Sequence, residues 1–263
     1  MQIRANGINI HCEVEGAEGA PWVVFSNSLA TNLAMWDAEA EALRGNFRVL
    51  RYDQRGHGGS EAPGGRYTFD LLLADFTALL DAFAIRRAHV VGLSMGGATV
   101  LGFAGRNPDR VDRVVACDTG GASTPESARG WEERIVVARQ HGMDALVEPT
   151  IGRWFPPETV AAAPAHLDRL RAMIRTTPVN GFVGCAAALA DHDMRPAAAS
   201  IRSPVMFVVG EKDGTTPAAM RRLQAALPGS RYEEMPGAGH ISNLDQPALF
   251  DRVLLDFLDG AGA

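Results

Sequence analysis

Five short apolar runs, at residues 22–25, 48–52, 89–92, 111–117 and 205–209, are separated by stretches of helical periodicity, and this alternation constrains the chain more than any other feature. Runs of that length read as strands buried on both faces, and strands that alternate with helices build a mostly parallel sheet covered on either side. Residues 8–14 alternate apolar and polar side chains behind Asn6-Gly7, so an antiparallel hairpin is expected to open the sheet. Helices are expected at 69–83, with Thr68 as N-cap, and at 95–106, 218–226 and 247–258. Between about 121 and 190 the alternation stops. Helical periodicity continues there without a strand, around Trp131, Trp154, Phe155 and the breaker Pro156-Pro157. The expected division is a core of residues 1–120 and 191–263, with residues 121–190 inserted as a helical cap over the sheet edge.

Composition narrows the partners. A 263-residue chain that is 46% hydrophobic can bury a large core. Its 25 basic and 31 acidic side chains are interspersed, which argues against a nucleic-acid or anionic-membrane surface and leaves a small soluble molecule as the expected partner. Cys12, Cys117 and Cys185 form no CxxC pair, so neither a disulfide framework nor a zinc site is expected, and all three read as reduced thiols of a cytoplasmic protein. The N-terminus lacks a signal-peptide pattern, and no apolar run approaches a membrane span. His192 lies between Asp191 and Asp193, but adjacent residues do not converge on one ion, and no metal is expected. Nothing in the sequence sets the oligomeric state.

Chemistry enters at Val91-Gly92-Leu93-Ser94-Met95-Gly96-Gly97, where one serine stands two residues from a glycine on each side, between a strand and a helix. This is the pattern of a nucleophile elbow: a turn so tight that the serine is strained and the flanking positions have no room for side chains. The following N–H, on Met95, then lies at a helix N-terminus, suited to stabilising an oxyanion. A neutral hydroxyl needs a base, and the base needs an orienting acid. Four histidines follow Ser94. His141, His166 and His192 belong to the helical stretch or its edge, whereas His240 lies in a polar turn, "PGAGHISN", before the last helix. Two acids compete. Asp213 closes "VMFVVGEKDG" at the carboxyl end of one buried strand, and Asp118 ends "VVACD" on the strand before it.

The serine, acid and histidine in that chain order, with "RYDQRGHGGS" at residues 51–60, resemble the α/β-hydrolase superfamily over nearly the whole chain. "SNSL" at 26–29, "GLSMGG" at 92–97 and "GHISN" at 239–243 make it similar to the bacterial 3-oxoadipate enol-lactonases of aromatic-acid catabolism. Asn27-Ser28 departs from the His-Gly pair usual in the superfamily, which narrows the match. The resemblance implies an eight-stranded, mostly parallel sheet with helices on both faces and a helical cap. It also implies a triad of Ser94, Asp213 and His240, oxyanion donors on Leu29 and Met95, no cofactor, and opening of an enol-lactone through an acyl-enzyme. General carboxylester hydrolysis, cofactor-free perhydrolysis with peroxide and a ligand-sensing role on the same fold are the alternatives.

In the insertion, Trp131, Arg134 and Trp154 are candidates to touch substrate. Arg134 lies three residues after Trp131, so the two share a helix face and can meet a substrate carboxylate together; the competing expectation pairs Arg134 with Glu133 or another surface acid. His57 is expected to be structural, with Asp53 and Arg55 binding each other or loop carbonyls.

Overall fold

In the computed structural model, which describes residues 1–260, Asn6 and Gly7 both adopt left-handed backbone, with φ of 43° and 80°. This tight turn joins β1 (Gln2–Ala5) to β2 (Ile8–Glu15) in antiparallel register. β2 pairs antiparallel with β4 (Arg48–Tyr52), and every later pairing is parallel: β3 (Trp22–Ser26), β5 (Ala88–Leu93), β6 (Val111–Cys117), β7 (Val205–Gly210) and β8 (Arg231–Met235). The eight strands run in the order β1-β2-β4-β3-β5-β6-β7-β8.

Parallel neighbours require crossovers, and the helices supply them. α1 (Asp37–Leu43), α2 (Phe69–Ala82) and α3 (Met95–Arg106) lead into β4, β5 and β6. Thr68 caps α2 by accepting the Leu71 N–H at 3.2 Å. After β6 the chain forms α4 (Pro125–His141), α5 (Val147–Trp154), α6 (Pro157–Ala162), α7 (Ala165–Thr176), α8 (Val179–Ala190) and α9 (Arg195–Ala198) before it re-enters the sheet as β7. An isolated bridge between Ala122 and Asp193 ties the two ends of this excursion together. α10 (Thr216–Ala226), α11 (Ser242–Asp245) and α12 (Pro247–Leu258) complete the chain. α10 begins two residues before the expected 218 because Pro217 fits the first turn, where its missing N–H costs nothing.

The two-residue period of the strands divides the interior. Val24, Leu50, Val90, Val114 and Phe207 face one core, shared with Phe76 of α2, Phe103 of α3 and Met220 of α10. Phe25, Val49, Val91, Val115 and Met206 face the other, with Trp36, Phe250 of α12 and the inserted residues Ile135, Ile151, Leu167 and Ile174. The inserted helices therefore share one continuous core with the sheet.

Candidate active site

The site is assembled where the parallel strands end. Ser94, directly after β5, has φ 57° and ψ −113°, a conformation that costs on the order of 1–3 kcal/mol and survives only if its surroundings enforce it. They do: a Cβ on Gly92 would strike the Gly96 carbonyl, and one on Gly96 would strike the Ser26 carbonyl. The Ser94 N–H is held by the Cys117 carbonyl at 2.8 Å.

His240 follows β8, its own N–H bound to the Trp154 carbonyl at 2.6 Å. Its Nε2 lies 2.9 Å from Ser94 Oγ and its Nδ1 2.7 Å from Asp213 Oδ2. Nδ1–H donating to the carboxylate leaves Nε2 free to accept the serine proton. The structure thus brings Ser94, His240 and Asp213 into one chain of hydrogen bonds. Asp118 is engaged elsewhere: Oδ1 accepts the Gly210 N–H at 2.7 Å and Oδ2 accepts the Ser242 hydroxyl at 2.5 Å. It is a loop anchor that joins the end of β7 to the turn after His240. Burial, followed by the negative charge of Asp213, pushes its pKa well above the usual carboxylate range.

Among the described residues neither the Leu29 N–H nor the Met95 N–H has a hydrogen-bond acceptor. Both remain available to a developing oxyanion. The turn that carries Leu29 is buttressed by the segment "RYDQRGHGGS". His57 Nε2 accepts the Ala30 N–H at 2.9 Å while its Nδ1–H points to the Arg55 carbonyl at 3.1 Å. Burial lowers the His57 pKa, so the ring stays neutral and able to accept. Asp53 takes the N–H groups of Leu33 and Gly59, at 2.7 and 2.8 Å, and lies 2.9 Å from His11 Nδ1. Asp53 and Arg55 do not bind each other, contrary to one sequence expectation: Arg55 reaches α2 instead, with both guanidinium contacts to Asp75 at 2.6 Å, plus the Asn6 carbonyl at 3.2 Å.

From the insertion, the buried Trp154 stacks on the His240 imidazole, with centroids 6.3 Å apart and planes at 24°. Trp131 is half-buried, with the Arg134 guanidinium over its ring at 4.5 Å. No ion pair joins Arg134 to Glu133 within 4.0 Å, although the Glu133 charge is felt there. Sequence reasoning overlooked Arg153, whose guanidinium is 5.7 Å from the same Trp131 ring; its only signal was its place next to Trp154. His192 packs on Phe69, and Asp193 is bound by Arg195. No helix among the described residues is long and apolar enough to cross a membrane.

Residues 21–247 match the alpha/beta hydrolase fold family, and the chain belongs to that family of hydrolases. It is 32% identical over 252 residues to 3-oxoadipate enol-lactonase 2 of Acinetobacter baylyi, covering 96% of this chain and 94% of that one. It is 29% identical to "Putative carbamate hydrolase RutD" of a Caulobacter species, covering 97% of each. The crystal structure of the enol-lactonase from Burkholderia xenovorans superposes with a TM-score of 0.94 at 40% identity, over 98% of this chain and all of that one.

Proposed function

We propose that this hydrolase opens an enol-lactone, converting 3-oxoadipate enol-lactone to 3-oxoadipate in the cytoplasmic breakdown of aromatic compounds. The observation that carries the reading is the Ser94–His240–Asp213 chain, with contacts of 2.9 and 2.7 Å, in a protein whose relatives include named enol-lactonases. Residues 121–190 act as the cap over a core of 1–120 and 191–263, and Trp131, Arg134 and Trp154 face the substrate.

Ser94 Oγ attacks the lactone carbonyl as His240 Nε2 takes its proton, and Asp213 stabilises the imidazolium. The oxyanion is held by the Leu29 and Met95 N–H groups, each such donor being worth roughly 3–4 kcal/mol of barrier. Collapse breaks the ring C–O bond, and His240 returns the proton to the departing enol oxygen, which stays tethered to the acyl chain and ketonises. His240 then deprotonates a water, which attacks the acyl-enzyme and releases Ser94 with its proton restored. Small-molecule substrate and water suffice, and no cofactor or metal takes part. The relative named as a carbamate hydrolase favours a second reading, in which the same machinery cleaves a carbamate or simple ester.

The test is turnover of the enol-lactone beside a simple ester and a carbamate. Ser94→Ala and His240→Ala are each expected to lower kcat by about 10⁴ or more, with Tm within a few degrees of wild type. Retention of more than a few per cent of kcat by either folded variant overturns the mechanism; preferential turnover of the carbamate selects the second reading.

A further inference from the structure

The turn that follows His240 is anchored on two sides. Ser242 ties it to the strand ends beside the acid, through the Asp118 carboxylate that also takes the Gly210 N–H. Asn243, the next residue, reaches the opposite way: its Nδ2 donates to the Met35 carbonyl at 3.2 Å and to Glu39 Oε1 at 3.0 Å, across 208 and 204 residues of sequence. Met35 belongs to the 3₁₀ turn Leu33–Trp36, just past the segment that carries Leu29. Its sulfur faces back on that segment, accepting the Ser28 N–H at 3.4 Å and lying 3.0 Å from the Thr31 hydroxyl. The same hydroxyl donates to the Ser28 carbonyl at 2.8 Å. That carbonyl and the Leu29 N–H belong to one planar trans peptide and point opposite ways, so holding the first aims the second.

The link is enclosed. Asn243 and Glu39 are 0% exposed and Met35 2%, and among the described residues Asn243 Oδ1 has no hydrogen-bond partner. A leucine of nearly the same shape would fill the space of Asn243 without desolvating an amide, so the amide costs stability where it stands. What it supplies in return is direction. We infer that Asn243 is a positioning residue that acts through Met35 to fix the Leu29 N–H relative to His240, so that oxyanion donor and general base keep one separation through the reaction. Oxyanion donors stabilise a transition state only when held where its charge develops. The inference rests on the triad mechanism above and adds to it the contact that joins two of its parts.

Hydrolysis of nitrophenyl butyrate and binding of phenylboronic acid provide the test. The boronic acid takes Ser94 Oγ onto boron while His240 receives the proton, and it directs a boron-bound oxygen at the Leu29 and Met95 N–H groups, so its Kd reads the oxyanion hole. Asn243→Leu is expected to lower kcat and kcat/KM alike by about tenfold or more, with KM within about twofold, and to raise the boronate Kd by a similar factor. Met35→Leu keeps the carbonyl and nearly the volume but removes the sulfur, and is expected to move the same quantities in the same direction by about threefold or more. The double variant is expected to lose less than the product of the two single losses, because both act on one path. Leu79→Ala, in the core on the other side of the sheet, lowers Tm and should leave kcat and the boronate Kd unchanged. Asn243→Leu that behaves like Leu79→Ala, or single losses that simply multiply, overturns the inference; should Asn243→Leu fail to fold, an unmoved kcat and boronate Kd in Met35→Leu overturns it, and a shift in both upholds it. Wild type that neither cleaves the ester nor binds the boronate, or Ser94→Ala that does both as well as wild type, overturns the triad mechanism and the inference with it. A Ser94→Ala variant that loses both while Asn243→Leu keeps both overturns the inference alone.

Discussion

Asp118 and Asp213 end adjacent parallel strands, and their carboxyls meet different partners. Asp213 touches the imidazole, so Asp213→Asn leaves the ring in the wrong tautomer and is expected to lower kcat by about 10⁴. Asp118→Asn keeps an oxygen for the Gly210 N–H and gains an amide that can donate to Ser242, and is expected to stay within about tenfold of wild type. Steady-state kinetics on both variants decide it, and the opposite ranking moves the acid to β6. The choice was open in the sequence because both residues share the same local signature, an Asp just past a buried strand. Only the 2.7 Å contact across 27 residues distinguishes them. Arg153 was invisible for a related reason: nothing in "VEPTIGRW" reports that a tryptophan from another helix lies beside it.

At the level of elements, the end of α5 and the turn after β8 are locked together. The Trp154 carbonyl takes the His240 N–H, and Gly239 is packed so closely that a Cβ there would run into that carbonyl and lie 3.0 Å from Pro156 Cδ. Gly239→Ala must push α5 away from the His240 turn or tilt the turn itself. Expected outcomes are a kcat at least tenfold lower and a Tm lower by several degrees, read by kinetics and thermal unfolding. Unchanged kcat would mean that the inserted helices do not position His240. The elbow was legible from two glycines and a serine because its constraint is local. The buttress beneath the Leu29 turn was not, because His57 and Asp53 act on backbone groups 27 and 20 residues earlier in the chain, at Ala30 and Leu33.

Across the whole molecule, Glu39 of α1 joins the N-terminal part of the fold to the segment that follows His240. Its buried Oε1 accepts a hydrogen bond from Asn243 at 3.0 Å, three residues beyond His240. Burial pushes the Glu39 pKa up from 4.5 to about 8, with Asp251 and Asp37 adding to the shift. The folded state therefore holds a proton that the unfolded chain releases at lower pH. The stability this contributes is complete below about pH 4.5, declines as pH rises, and is lost through pH 8. Glu39→Gln keeps the shape and the acceptor oxygen without the charge. Its Tm is expected to match wild type near pH 5 and exceed it by several degrees near pH 9. A wild-type Tm that holds up as well as the variant's at pH 9 would show the carboxylate ionised at no cost. The five buried strands, the opening hairpin, the α2 cap and the elbow follow from the sequence alone, because periodicity, turn chemistry and capping act over a few residues. What only the tertiary structure decided is which distant groups meet: Ser94 with His240 across 146 residues, Glu39 with Asn243 across 204, and two arginines around one indole. Those meetings depend on strand order and on how helices cross, and a one-dimensional pattern of apolar and polar residues specifies which face of an element is buried without naming the partner that buries it.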